Sequence, residues 1–160
     1  MKNGKRWIAR LIFTLLSAAA IGFIFFHSSM SADDSSLESG GVVEWLNALF
    51  RGMGIPLELN DHIVRKLAHF TEFGVLGALL SVTVFLYLSK RLRTLLVALP
   101  AGLAVAVCDE LIQTTSQGRS CQLGDVVIDF CGVLTAALIV QLVLYLIHRH
   151  RLKKEGNGNE

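Results

Sequence analysis

The sequence predicts an all-α membrane protein, a bundle of four transmembrane helices with both termini cytoplasmic and a short amphipathic helix in the first outer loop. Three observations carry that expectation. Of 160 residues, 52% are hydrophobic and 18% charged, where ordinary globular chains carry about 25% charged residues. Four apolar stretches are each about as long as the roughly 20 helical residues that cross ~30 Å of hydrocarbon. The basic residues gather at alternate ends of those stretches, as the positive-inside bias asks of an even number of crossings. The 15 Lys and Arg, at a net charge of +2, form no patch with interleaved aromatics, so nucleic acid is not an expected partner.

The first helix is expected from about Trp7 to Phe26, behind Lys2, Lys5, Arg6 and Arg10. A secretory signal is the alternative, because Met30-Ser31-Ala32 loosely resembles a cleavage site. The connection from Phe26 to Asp61 opens with the Ser-rich run His27 to Gly40. It continues with Val42, Trp45, Leu46, Leu49, Phe50 and Met53 at helical spacing, and ends at Gly52, Gly54 and Pro56. A helix of that kind either lies in the headgroup layer or packs as a lid on the outer ends of the spanning helices. The remaining spans are expected over about Lys66–Leu88, Arg93–Gln113 and Val126–Ile147, followed by a flexible basic tail over about 149–160. Lys90, Arg91, Arg93 and the tail's Arg149, Arg151, Lys153 and Lys154 belong in the cytoplasm. The connections Phe26–Asp61 and Thr114–Gly124 are then outside. One domain covers 1–160. Cys108, Cys121 and Cys131 are odd in number and lack CxxC spacing, which predicts neither a disulfide framework nor a zinc site.

Charged residues and histidines inside spanning helices are costly and mark functional sites. Here they fall at one depth on three helices. Arg65, His69 and Glu72 share a stripe on the second helix, with Lys66 beside it; Glu110 and Gln113 share a side of the third, where Asp109 also reaches Gln113; Asp125 and Asp129 form a stripe on the fourth that continues through Gly132, whose small size permits close approach. The uncharged run Thr94–Cys108 is too short to span alone at about 1.5 Å per residue, so Asp109 and Glu110 lie at or inside the outer boundary. Central placement of two acids costs roughly 5–7 kcal/mol. They therefore sit near the interface, pair with Arg65, Lys66, His69 or Arg119, or are partly protonated. Such a cluster can simply cap and pair helix ends. It can also bind a phosphate headgroup, carry out general acid/base chemistry or hold a divalent cation. There is no HExxH, no GxSxG and no histidine pair spaced for zinc, so no metal or cofactor is expected from motifs.

The ordered set Arg65-Lys66-Leu67-Ala68-His69-Phe70-Thr71-Glu72-Phe73, Asp109-Glu110-x-x-Gln113, Gly118-Arg119-Ser120 and Asp125-x-x-x-Asp129-x-x-Gly132 resembles the VanZ-like family of small multi-pass membrane proteins. Phe25-Phe26-His27-Ser28-Ser29 is similar to the family's pattern behind its first helix. The family is named for an accessory protein that raises resistance to the glycopeptide teicoplanin. Carried over by position, the resemblance implies recurrent polar residues at Lys66, His69, Glu72, Asp109, Glu110, Gln113, Arg119, Asp125 and Asp129. The chain departs from the pattern at Ile112, often histidine, at Phe73, usually tyrosine, and at Gln117, often proline.

The expected function is that of a cell-envelope protein whose outer polar cluster holds an anionic lipid headgroup or lipid-linked wall precursor and modulates teicoplanin susceptibility. Arg65, Lys66 and Arg119 would contact phosphate, His69 would donate or accept, and Glu72, Asp109, Glu110 and Asp129 would orient the basic groups. The alternatives are an intramembrane hydrolase or transferase acting on a lipid phosphate, with Glu110 as base and His69 as acid or metal ligand, and a purely structural subunit. The expected partners are membrane lipids, with a second copy of the chain also allowed. Four helices without broken segments or inverted repeats offer little for alternating-access transport.

Overall fold

The computed structural model describes residues 3–119 and 121–156. Lys2 and Ser120, and the tail from 157 to 160, lie outside the described residues. The chain is all-helical: α1 (Asn3–Ser28), α2 (Ala32–Gly52), α3 (Asp61–Leu88), α4 (Arg91–Gln113) and α5 (Leu123–Gly156). Four of these, α1, α3, α4 and α5, are long and apolar enough to cross a membrane.

Several boundaries differ from those expected of the sequence. The Ser-rich run is helical from Ala32, because Ser31 caps α2 by accepting from the Asp34 backbone N–H at 3.2 Å and Asp33 and Asp34 sit in its first turn, where negative charge suits the helix dipole. α3 begins five residues early, at Asp61, where the Asn60 side chain accepts from the Ile63 N–H at 2.9 Å. α5 runs on to Gly156, taking in Arg149 to Lys154 from the segment expected to be a flexible tail. Those residues are good helix formers, and no glycine or proline interrupts them.

The bundle is centred on α3, which packs against every other helix and most extensively against α5. The α3–α5 approach is set by absent side chains. A Cβ placed on Gly77 would lie 2.5 Å from the Val133 carbonyl oxygen and 2.6 Å from its Cα, and one on Gly132 would collide with the Phe70 carbonyl oxygen. Backbone meets backbone at both places, and small residues are what let membrane helices do so. Ile24, Phe73, Leu76, Ala106 and Val133 form the buried apolar centre, one residue or more from each spanning helix. Within the bundle the Gln141 Nε2 donates to Ser81 Oγ at 3.0 Å, and Ser17 pairs with Thr83 at 3.0 Å.

The two ends of the bundle differ in charge. At one end Arg6 donates to Ser89, Arg10 Nε donates to the Leu86 carbonyl at 3.0 Å, and the Arg10 and Arg91 guanidinium carbons stand 4.9 and 4.7 Å from the Tyr87 and Tyr145 ring centres. The opposite end carries His27, His62 and His69 together with Glu72, Asp109, Glu110, Asp125 and Asp129. Cys108, Cys121 and Cys131 are free and exposed on the outside of the bundle.

Because the obstruction at Gly77 and Gly132 is backbone, even a methyl group forces the helices apart. Gly132→Ala is expected to lower stability by about 1–3 kcal/mol, the usual cost of overpacking. Gly22→Ala, where an added Cβ meets nothing within 4 Å, is expected to be neutral or to gain up to about 1 kcal/mol from helix propensity. Thermal unfolding of both variants in the same detergent checks the contrast.

Candidate functional site

Four helices, rather than the three expected from the sequence, contribute to the polar end, because α1 brings His27 and Ser28 into it. The carbonyl of Ser28 accepts from Ser116 Oγ at 3.0 Å, and the Ala32 N–H donates to the Gln117 carbonyl at 3.0 Å. The two connections at this end are thereby laced together. α2 is tied down separately: Asn47 makes paired bonds with the Leu59 backbone at 2.8 and 2.9 Å, and Ser39 Oγ donates to Asp61.

Asp109, Asp129 and His69 form the centre. Asp109 and Asp129 have 0% exposure. Asp109 accepts from Ser28 Oγ and, at 3.0 Å, from Gln113 Nε2. Asp129 lies across from it on α5, and neither of its carboxylate oxygens has a hydrogen-bond partner among the described residues. His69 stands between them, its Nδ1 3.4 Å from Asp129 Oδ1 and 3.9 Å from Asp109 Oδ2. Those distances are within ion-pair range. Yet Nδ1 makes no hydrogen bond with either acid, so proximity here does not amount to a directed bond.

The other expected residues surround this centre in distinct roles. Lys66 pairs with Asp125 at a partly exposed position between α3 and α5. Glu72 Oε1 faces His27 Nδ1 at 3.7 Å. Glu110, only 1% exposed, turns towards the 114–122 connection, where its Oε2 accepts from the Gln122 N–H at 2.8 Å. Among the described residues no hydrogen bond or ion pair joins Glu110 to His69, so the expected base and its expected acid partner do different work. Gly118, with φ at +76°, makes the turn that folds Arg119 back towards the helices. Arg119 and Arg65 line the same cavity and have no carboxylate within ion-pair distance among the described residues; the Arg119 Nε is buried without a hydrogen-bond partner. Burial, and then the neighbouring Arg65, push the Arg119 guanidinium below its ordinary pKa, with Asp109 and Glu110 opposing.

Two cavities open beside the centre. The larger, about 190 Å³, lies under α2 and is bordered by His27, Ser39, Arg65, His69, Glu72 and Arg119 together with apolar Met30, Val42, Val64 and Ala68. The smaller, about 90 Å³, is bordered by His62, Lys66, Gln113, Asp125 and Asp129. His69 and Arg65 border both. Glu110 borders neither. His27, Ser28, Ser39 and Gln122 are the functional neighbours that a survey of charged residues passes over. Their signal in the sequence is slight, a histidine and serines directly behind an apolar run.

Comparison with known families gives a match to VanZ/LLP1 over residues 13–145, and the chain belongs to that family. With four candidate spans and this membership it is a multi-pass membrane protein. No curated protein and no solved structure matches the chain.

The structure ranks the polar contacts by burial. Ser28→Ala leaves an Asp109 oxygen unsatisfied in a fully buried position and is expected to cost about 1–3 kcal/mol. Lys66→Met removes a partly exposed pair and is expected to cost less than about 1 kcal/mol. Melting of the two variants side by side reads the order, and a Lys66 variant less stable than the Ser28 variant contradicts it.

Proposed function

We propose that this protein binds the phosphate of an anionic lipid headgroup or lipid-linked wall precursor in the larger cavity, at the outer face of the membrane, and so modulates susceptibility to teicoplanin. The observation that carries this is the pair Arg65 and Arg119, two guanidiniums bordering one cavity of about 190 Å³ with no carboxylate bound to either among the described residues. Like charges held together in a half-buried place call for an anion. Guanidinium forks match phosphate oxygens, which makes phosphate the fitting class. His27 and His69 add ring nitrogens on the same wall, and Val42, Val64 and Ala68 add apolar surface for the first carbons of a lipid.

Orientation follows from charge. The end bearing Arg6, Arg10 and Arg91 is cytoplasmic by the positive-inside bias, which puts the cavity at the outer leaflet. α2 leaves Leu37, Val42, Trp45, Leu49 and Met53 exposed. An apolar stripe with a tryptophan suits the headgroup layer, so α2 lies on the membrane and roofs the cavity. A hydrolase using Glu110 finds less support, since that carboxylate is spent on the Gln122 backbone and faces neither cavity.

Arg119→Lys keeps the charge and removes the fork. It is expected to lower the amount of anionic phospholipid retained through purification by about tenfold, a loss of roughly 1.4 kcal/mol, with thermal stability unchanged. A sensitive host expressing wild type is expected to tolerate more teicoplanin than one expressing the variant at equal membrane level. Equal lipid retention by the two proteins, read by mass spectrometry, contradicts the proposal.

A further inference from the structure

The centre formed by His69, Asp109 and Asp129 has a property that headgroup binding does not use. Each residue offers one ligand atom, and the three atoms lie within 4.8 Å of one another. Asp129 is at 0% exposure with both oxygens unpartnered, and His69 Nδ1 is likewise buried and unpartnered. Asp109 is oriented by Ser28 and Gln113, which hold its carboxylate facing His69 while leaving lone pairs free. Hydrogen bonds of this sort to a carboxylate are the usual outer support of a metal ligand.

We propose that His69, Asp109 and Asp129 bind one divalent first-row cation of the Mn2+ or Zn2+ class. Three arguments support that chemistry. A cation can be taken at once by an imidazole nitrogen and two carboxylates, and it balances two buried negative charges where a single imidazolium balances one. The spacing is close: metal–ligand bonds of about 2.0–2.2 Å give ligand–ligand edges of about 3.3–3.5 Å in a tetrahedron; the 3.4 Å between Nδ1 and Asp129 Oδ1 matches, and the 3.9 Å to Asp109 Oδ2 calls for a small side-chain shift on binding. The mixed nitrogen and oxygen set favours a first-row cation over Ca2+, which takes six or more oxygens.

Three protein ligands leave at least one coordination position free. Asp129 and His69 both border the smaller cavity, which gives that position an approach from Gln113 and Gln122. The sequence hides the set, because the ligands come from three helices and lie 40 and 20 residues apart in the chain. The inference concerns metal binding alone and stands whether or not the larger cavity holds a lipid phosphate.

The test uses the full chain in detergent, stripped with chelator and titrated separately with Mn2+ and Zn2+ by calorimetry, with bound metal counted by mass spectrometry. Wild type is expected to take one ion per chain of at least one of the two metals and to melt at a higher temperature when loaded. Asp129→Asn and His69→Gln are expected to weaken binding at least tenfold and to abolish the metal-induced rise in melting temperature. Arg91→Gln, at the opposite end of the bundle beside Tyr145, is expected to bind as wild type does. His148 and His150 at the exposed end of α5 are present in every variant, so adventitious binding there shows as affinity that the Asp129 and His69 substitutions do not change. That result, or wild type without a stoichiometric site for either metal, overturns the proposal. Circular dichroism of each variant identifies any that fails to fold, and Asp129→Glu, which keeps a ligand, is expected to retain at least part of the affinity and then decides the matter.

Discussion

Two carboxylates taken out of contact with solvent, Asp109 and Asp129, set the conditions that the surrounding residues meet. A buried charge is tolerated only when paired or solvated by fixed dipoles, and removing one partner typically costs 3–5 kcal/mol. Asp109 meets the requirement through Ser28 on α1 and Gln113 one turn along α4. Among the described residues Asp129 has only His69 within ion-pair distance. The bundle can bring these groups together because α3 and α5 touch through Gly77 and Gly132, backbone against backbone, which draws the polar ends of both helices into one place. On α5 the glycine contact at Gly132 lies one helical turn from Asp129, so the close approach and the polar centre adjoin.

Much of this was legible in the sequence for a physical reason. The hydrocarbon core imposes a length, and apolar runs of that length are easy to see, so the four spans were found, although α5 runs well past the expected Ile147 to Gly156. The polar stripes were legible too, because helical spacing fixes which residues share a face: Asp109 with Gln113, and Asp129 in line with Gly132, are as the spacing implies. Rotation about each helix axis was not legible. Asp109 and Glu110 are neighbours in sequence, yet one faces His69 and the other the 114–122 connection, because adjacent helical residues differ by about 100° in direction. Short serines were not legible either. Ser28 and Ser39 carry no charge and follow no period, and only the tertiary arrangement shows that each donates to a carboxylate.

The direction taken by Arg119 decides what kind of surface this end presents. Pointing outwards it would join the headgroups as one more surface charge. Folded back by the positive-φ turn at Gly118 it joins Arg65 at the larger cavity instead, where the two guanidiniums share the lining with Glu72 and His69. Met30, Val42, Val64 and Ala68 add apolar surface to the same cavity, which on the proposed reading faces the first carbons of a lipid. On the proposed reading the exposed apolar residues of α2 hold that roof at the membrane, and access is from the bilayer plane.

If the polar end exists to bind, its acids are held at a cost in stability, and the two properties separate on substitution. The decisive measurement is therefore the melting temperature of Asp129→Asn in the presence of chelator, taken together with the teicoplanin susceptibility of cells holding it at wild-type level. Removing a buried charge whose oxygens lack hydrogen bonds is expected to leave the melting temperature equal to wild type or higher, while the protection given by wild type is lost. A variant that melts several degrees lower and loses protection only in proportion to its abundance contradicts this, and makes the polar end a device for holding helices together.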